Sequence, residues 1–202
     1  MKTGLPVHVN GYFELSANRR DVWWGDDMAG DGRARAEWNG ALVRDIAAPS
    51  YARLVGKCVK RLPEGYESLF PCDEKGGERS FSPLWEVLIS AFYLRVRDDP
   101  VLFSAPSGAW LAPSRAVALS DPDDSELAAI LSKEGELPLV VFRSADLRST
   151  LLKRGVVTHT TTPPFVRSYY ASEPPHLPPS LSDPSDAFKS AKVRDIASDV
   201  GK

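Results

Sequence analysis

Along the chain the spacing of apolar residues changes period, and that change sets out the elements. From Val7 to Leu15 apolar and polar positions alternate. Val7, Val9, Gly11, Phe13 and Leu15 share one parity, while His8, Asn10, Tyr12 and Glu14 share the other. Period two predicts a half-buried strand. The run ends in Ser16-Ala17-Asn18, residues that favour a turn through side-chain hydrogen bonds to the backbone. Two arginines, Arg19 and Arg20, and two tryptophans, Trp23 and Trp24, follow at once. Gly25 to Gly32 reads as a flexible acidic loop. From about Arg33 to Arg61 the period lengthens to that of a helix. Trp38, Leu42 and Ile46 lie four apart, and Tyr51, Leu54, Val55, Cys58, Val59 and Leu62 continue the stripe expected to be buried. Pro49 falls inside this run and has no N–H for the carbonyl four residues back, so a kink or a break is expected there.

Beyond a loop from Pro63 to Ser80, Ser82-Pro83 supplies a helix N-cap followed by proline at the first position. The helix it opens carries Leu84, Trp85, Leu88, Ile89, Phe92 and Val96 on one broad face and stops before Pro100. Val101–Ser104 and Ala109–Ala112 flank Ala105-Pro106-Ser107-Gly108, which predicts a hairpin. Asp123 and Glu126 have the spacing of a capping box for a helix through Leu127, Ile130 and Leu131 that ends at Gly135. Leu139–Phe142 reads as a short buried strand. Ser144 starts a helix with Leu147 and Leu151 inward and Gly155 at its end, and Val156–Thr161 is β-prone. Thr162-Pro163 opens a last helix through Tyr170. A strand, several helices, a hairpin, a buried strand and more helices argue a mixed α/β domain of the α+β class. Residues 4–171 form that domain. Residues 172–202, with Pro174, Pro175, Pro178, Pro179 and Pro184, read as a Pro-rich linker and a weakly helical, flexible tail.

The composition narrows the classes of function. With 25 basic and 27 acidic residues among 202, the chain has no global attraction to nucleic acid or anionic membrane. Two cysteines, Cys58 and Cys72, fit neither a zinc pattern nor a secreted disulfide framework and suit a reduced, cytoplasmic setting. No apolar run is long enough to span a bilayer, so membrane insertion is not expected.

The candidate chemistry is sparse. Lys75-Gly76-Gly77-Glu78-Arg79-Ser80 has phosphate-loop residue types in the wrong order, and Gly30-Asp31-Gly32 does not extend to a dinucleotide fingerprint. Asp26, Asp27 and Asp31 lack the alternating ligands and distal Glu of a calcium loop, so no metal is expected. His8, His159 and His176 stand apart, with no nucleophile motif beside them. No catalytic residue is assigned, and the chain is expected not to be an enzyme. Trp23 and Trp24 are candidate partner-binding anchors, since exposed indoles are typical of interfaces; the plainer reading packs them and Trp38 against the helix that begins near Arg33. For Arg19 and Arg20 the plainer reading is pairing with Asp21, Asp26 or Asp27.

The run GLPVHVNGYFELSANRRDVWWGDDMAGDGRARAEWN closely resembles the sacsin family, in the part of its repeat that follows an ATPase domain of the 90-kDa heat-shock chaperone type. The resemblance continues through LVRDIAAPSY (42–51), PVLFSAPSGAWLAPS (100–114), LPLVVF (137–142) and TPPFVR (162–167). It implies a non-catalytic segment of a sacsin-like chaperone of protein quality control. That segment would couple an ATPase domain, in cis or in trans, to clients or co-chaperones. The family's nucleotide-binding motifs are not in these residues, so no cofactor is expected on this chain alone, and ATP only with a separate nucleotide-binding domain. In that setting Arg19 or Arg20 would contact the ATP phosphate from outside the nucleotide domain, a role suited to the fixed fork of a guanidinium. The alternative is a stand-alone protein-protein interaction module derived from the repeat, without ATP dependence. Met1 and the Pro-rich tail, where the family's repeat continues, favour that alternative somewhat.

Overall fold

The computed structural model describes residues 3–16, 21–25, 30–75, 78–79, 81–121, 123–133 and 137–171. Arg19, Arg20, most of the acidic loop and the expected tail lie outside these residues.

The N-terminal segment carries out its alternation without becoming a strand. Leu5, Val7, Val9 and Phe13 pack against the main core, while Pro6, His8, Asn10 and Tyr12 face solvent. A single antiparallel bridge, Leu15 to Val22, is its only strand pairing among the described residues. The predicted strand is therefore an extended segment. Period two fixes which side chains turn inward, but a ladder also needs a second edge, and the neighbour here is a helix.

That neighbour is a continuous helical run. Helix α1 (Asp31–Ala41) leads into a π-helical turn (Leu42–Ala47), helix α2 (Ala48–Cys58) and a closing 3-10 turn (Val59–Arg61). Pro49 does not break it. The Ala48 N–H donates to the Val43 carbonyl, five residues back, so the wider turn accommodates the proline just beyond it. The π turn also alters which side chains face the core. Val43, Ala48, Tyr51, Ala52, Val55 and Val59 are buried. Trp38, Ile46, Leu54 and Leu62, expected in the buried stripe, are exposed.

A two-stranded antiparallel ribbon, β1 (Glu74–Lys75) and β2 (Glu78–Arg79), precedes helix α3 (Pro83–Val96). Helix α3 is the axis of the core, with Leu84, Trp85, Leu88, Ile89, Phe92, Tyr93 and Val96 all buried. At roughly 1.5–3 kcal/mol per large side chain removed from water, this one helix supplies a major share of the driving force. Ser82 begins it through its carbonyl, which accepts from Glu86 N at 3.0 Å, and its side chain makes no capping hydrogen bond. Tyr51 of α2 stacks on Phe92 with ring centroids 4.4 Å apart, and Phe70 meets the same ring edge-on.

The hairpin forms as predicted from β3 (Leu102–Ser104) and β4 (Ala109–Leu111), pairing Phe103 with Trp110. Gly108 takes φ +66° at its turn, where a side chain would be strained. Next, β5 (Val117–Ala118) is the centre of a three-stranded parallel sheet with β6 (Leu139–Val140) and β7 (His159–Thr160) on its two sides. Helix α4 (Ser125–Lys133) lies between β5 and β6, helix α5 (Ala145–Lys153) between β6 and β7, and helix α6 (Pro163–Ala171) follows β7. Both faces of this sheet are covered. Ala116, Ala118, Val140 and Phe142 join the main core with Leu147 and Leu151 of α5. Val117, Leu119 and Leu139 form a second cluster with Leu127 and Leu131 of α4 and Val166 of α6. The local architecture is thus helix, sheet, helix, the arrangement that parallel strands require. Helix α4 is capped by Asp124, whose carboxylate accepts from Leu127 N at 2.9 Å, one residue later than the expected Asp123. Helix α5 is capped by Ser144, which accepts from Leu147 N at 3.1 Å. It ends at Gly155, φ +63°, with Val156 N returning to the Leu151 carbonyl.

Candidate functional site

The site builds outward from Asn39, a helical residue with no exposed surface. An asparagine inside a helix competes with its own backbone and has low propensity there, so a buried one needs partners elsewhere. Asn39 finds them in the extended segment. Its Oδ1 accepts from Glu14 N at 2.9 Å, and its Nδ2 donates to the Glu14 carbonyl at 2.8 Å and to the Trp23 carbonyl at 2.9 Å. The amide thus offers Glu14 the donor and acceptor that a neighbouring strand would. Nearby, Trp38 Nε1 donates to the Tyr12 carbonyl at 3.1 Å. These bonds hold the segment against α1 without a ladder.

The same contacts fix the residues flanking the arginine pair. Ser16 N donates to the Asp21 carbonyl at 2.8 Å, Asp21 N to Ser16 Oγ at 3.3 Å, and Trp23 N to the Glu14 carbonyl at 3.0 Å. The chain entering at Ser16 and the chain leaving at Asp21 are therefore tied together beside α1. Trp23 and Trp24 are half-buried. Trp24 packs on the main core and against α1 so closely that a Cβ on Gly40 would lie 3.4 Å from its ring. Trp23 Nε1 is buried and has no acceptor among the described residues. Trp24, Arg33, Glu37 and Arg44 line a cleft of about 490 Å³ on this side, in which Arg33 pairs with Glu37 at 2.8 Å. The bond that pairs Arg44 with the adjacent Asp45 lowers the pKa of the carboxylate.

On the other side of the segment runs a second groove, about 230 Å³, between residues 7–13 and the helical run. His8 lies on its rim, exposed. His159 is far from it, exposed in β7 and stacked on Phe165 at 5.2 Å.

A second polar constellation lies where α5 meets α3. Arg154, just past α5, donates from Nε to Asp73 Oδ1 at 2.7 Å and from Nη1 and Nη2 to the Glu86 carboxylate at 2.8 and 3.0 Å. Its Nη2 also pairs with Asp73, and its guanidinium lies 5.6 Å from the centre of the Tyr93 ring. Burial works against this charge, but the hydrogen bonds and charges of Glu86 and Asp73 outweigh it, so its pKa is raised. Asp73 N is held in turn by Thr150 Oγ1 at 3.0 Å. With the fork occupied by two carboxylates, the arrangement is a cross-link among the approach to β1, α3 and α5. Its members lie 68 and 81 residues apart, so no local spacing announces it.

No group of three or more metal-ligating side chains occurs among the described residues, and no helix among them is long and apolar enough to cross a membrane.

With that geometry described, one comparison bears on it. Sacsin of Homo sapiens is 41% identical over 61 residues. The matched part is 30% of this chain and 1% of sacsin, so the chain spans a small fraction of that relative. No protein-family model and no solved structure matches the chain. The comparison supports a sacsin-related segment within this chain.

Proposed function

We propose that this chain is a non-catalytic segment of a sacsin-like chaperone, working in the cytoplasm after a heat-shock-type ATPase domain. It couples the nucleotide state of that domain to the binding of clients or co-chaperones. The observation that carries this reading is the 41% identity to human sacsin over 61 residues. The geometry is compatible with it at one point. The described residues on either side of positions 17–20 are tied to each other and to α1. A guanidinium brought to a transferring phosphate from another domain stabilises charge that develops only in the transition state.

The test joins this chain to its ATPase domain. Arg19→Ala or Arg20→Ala is expected to lower ATP turnover by roughly tenfold or more while nucleotide affinity stays near its original value. Unchanged turnover in both variants would remove the coupling role.

A second reading has its own observation. The open groove beside α2 favours a stand-alone interaction module, in which partner binding needs no ATPase. Client binding that is equal with and without the joined domain would select it.

A further inference from the structure

We propose that the groove between residues 7–13 and helix α2 docks an extended segment of another protein that alternates apolar and acidic residues. The proposal deepens the protein-binding part of the function above and rests on it; ATP coupling plays no role in it.

Three observations converge on this occupant. The first is shape and polarity. Val7, Val9 and Phe13 form one wall, and Leu42, Ile46 and Leu54 the other. Ile46 is 61% exposed and Leu54 46%, a high exposure for large aliphatic side chains beside a concave surface. The second is backbone. Among the described residues, no hydrogen bond is made by the N–H or carbonyl groups of residues 7–11. An extended chain with free backbone groups is the edge to which another strand adds, with the ladder giving affinity and side-chain pockets giving specificity.

The third observation is charge. From Ile46 to Pro63 the helical run carries Arg53, Lys57, Lys60 and Arg61 and no Asp or Glu. All four cations are exposed; Arg53 is next to Leu54, and Lys57, Lys60 and Arg61 continue the run beyond the groove's lining residues. The opposite wall, Gly4 to Phe13, has no acid either. A partner that extends from the groove along the run and carries carboxylates between its apolar residues is complementary to these cations, and a basic one is repelled. A basic, apolar helix face also suits an anionic membrane, but a lipid surface does not fill a groove or pair a backbone edge. The concavity and the free edge decide for a peptide segment.

The experiment uses the full 202-residue protein and fluorescence anisotropy of a short labelled peptide alternating Leu and Phe with Glu. A twin peptide with Lys for Glu is the control. The acidic peptide is expected to bind and its twin to bind at least tenfold more weakly. Ile46→Asp and Leu54→Asp, both at exposed positions, are expected to weaken the acidic peptide about tenfold or more with the circular dichroism spectrum unchanged. Lys57→Glu combined with Arg61→Glu should weaken it severalfold and flatten its salt dependence.

Equal binding of the two peptides, or affinity untouched by Ile46→Asp and Leu54→Asp, would overturn the proposal. So would binding of phosphatidylserine vesicles, or a homodimer seen by sedimentation, that depends on Ile46 while the peptide does not bind. The outcome separates from the coupling role. Acidic-peptide binding with turnover indifferent to Arg19→Ala and Arg20→Ala would support the groove and remove the coupling. Arginine-dependent turnover without peptide binding would overturn the groove alone.

Discussion

Asn39 and Arg154 each hold a distant part of the chain in place, and they do it by opposite means. Asn39 is neutral and grips only backbone: the two polar groups of Glu14 and the Trp23 carbonyl. Arg154 is charged and grips side chains, the carboxylates of Asp73 and Glu86. The amide substitutes for a strand at one position and leaves the rest of the segment unladdered. The guanidinium is enclosed, with two acids on its fork and Tyr93 against its face. The Arg154 site is therefore closed by its own charges, while beside Asn39 a backbone edge and an apolar groove stay open. The proposed function resides on the side of the extended segment, where the backbone edge is open.

Alkaline pH should have the largest effect, because it acts on the buried core shared by both sites. Tyr51, Tyr66 and Tyr93 are buried in the main core, Tyr93 beside Arg154, and each has its pKa pushed above the ordinary phenol value. Burial is the main cause, with the charge of nearby Cys72 or Glu67 adding to it. The native state keeps these phenols protonated where the unfolded chain would ionise them. Their contribution is thus present below about pH 10 and is lost as pH rises beyond it. At about 1.4 kcal/mol per tyrosine per pH unit, the loss reaches up to about 4 kcal/mol near pH 11. Tyrosinate absorbance of these three residues should appear together with unfolding. A smooth titration of all tyrosines with the fold intact would contradict the enclosed core.

Next in size is the cross-link itself. Arg154→Ala leaves two carboxylates facing each other, one of them on the exposed side, and should cost roughly 2–4 kcal/mol by equilibrium denaturation. Arg154→Lys should recover only part, because a point charge cannot reproduce a fork that bonds Asp73 and Glu86 at once. Full recovery by lysine would mean that charge alone, and not geometry, joins these elements.

The sequence made much of the scaffold legible because local chemistry sets it. Ser82-Pro83, Ser144, Gly155 and the turn before Gly108 each mark a boundary through a requirement of one or two residues. The face of the long helix was not legible in that way. Leu and Ile at helical spacing pointed to Ile46 and Leu54 as core, while the core takes Ala48 and Ala52, small enough for α3 to approach. A π turn between Leu42 and Ala47 shifted the register, and no one-dimensional period announces such a turn. The opening alternation identified Val7, Val9 and Phe13 as inward but also counted Leu15, which is exposed, and could not tell that a side-chain amide would replace the second strand. Arg154 was invisible for a different reason, since its partners are distant in sequence. Asn39 left a weak signal: an asparagine mid-helix, next to Trp38, where propensity alone would not place one.

The smallest effect tests Asn39, and its smallness is informative. Removing the amide strands the N–H of Glu14 and the carbonyl of Trp23 and leaves the Glu14 carbonyl only its bond from Trp23 N, which would cost several kcal/mol if the segment stayed in place. It need not stay. The segment can detach and recover its hydrogen bonds from water, so the loss is limited to the free energy that holds it in place. Asn39→Ala should therefore abolish amide-exchange protection at Glu14 and Trp23 while the global melting temperature falls by only a few degrees. Asn39→Asp keeps the shape but places an acceptor against two carbonyls, and should release the segment more completely than alanine does. A global destabilisation as large as that of Arg154→Ala would show that the segment is part of the closed core after all. A local loss confirms that the groove it borders can open and close without unfolding the rest.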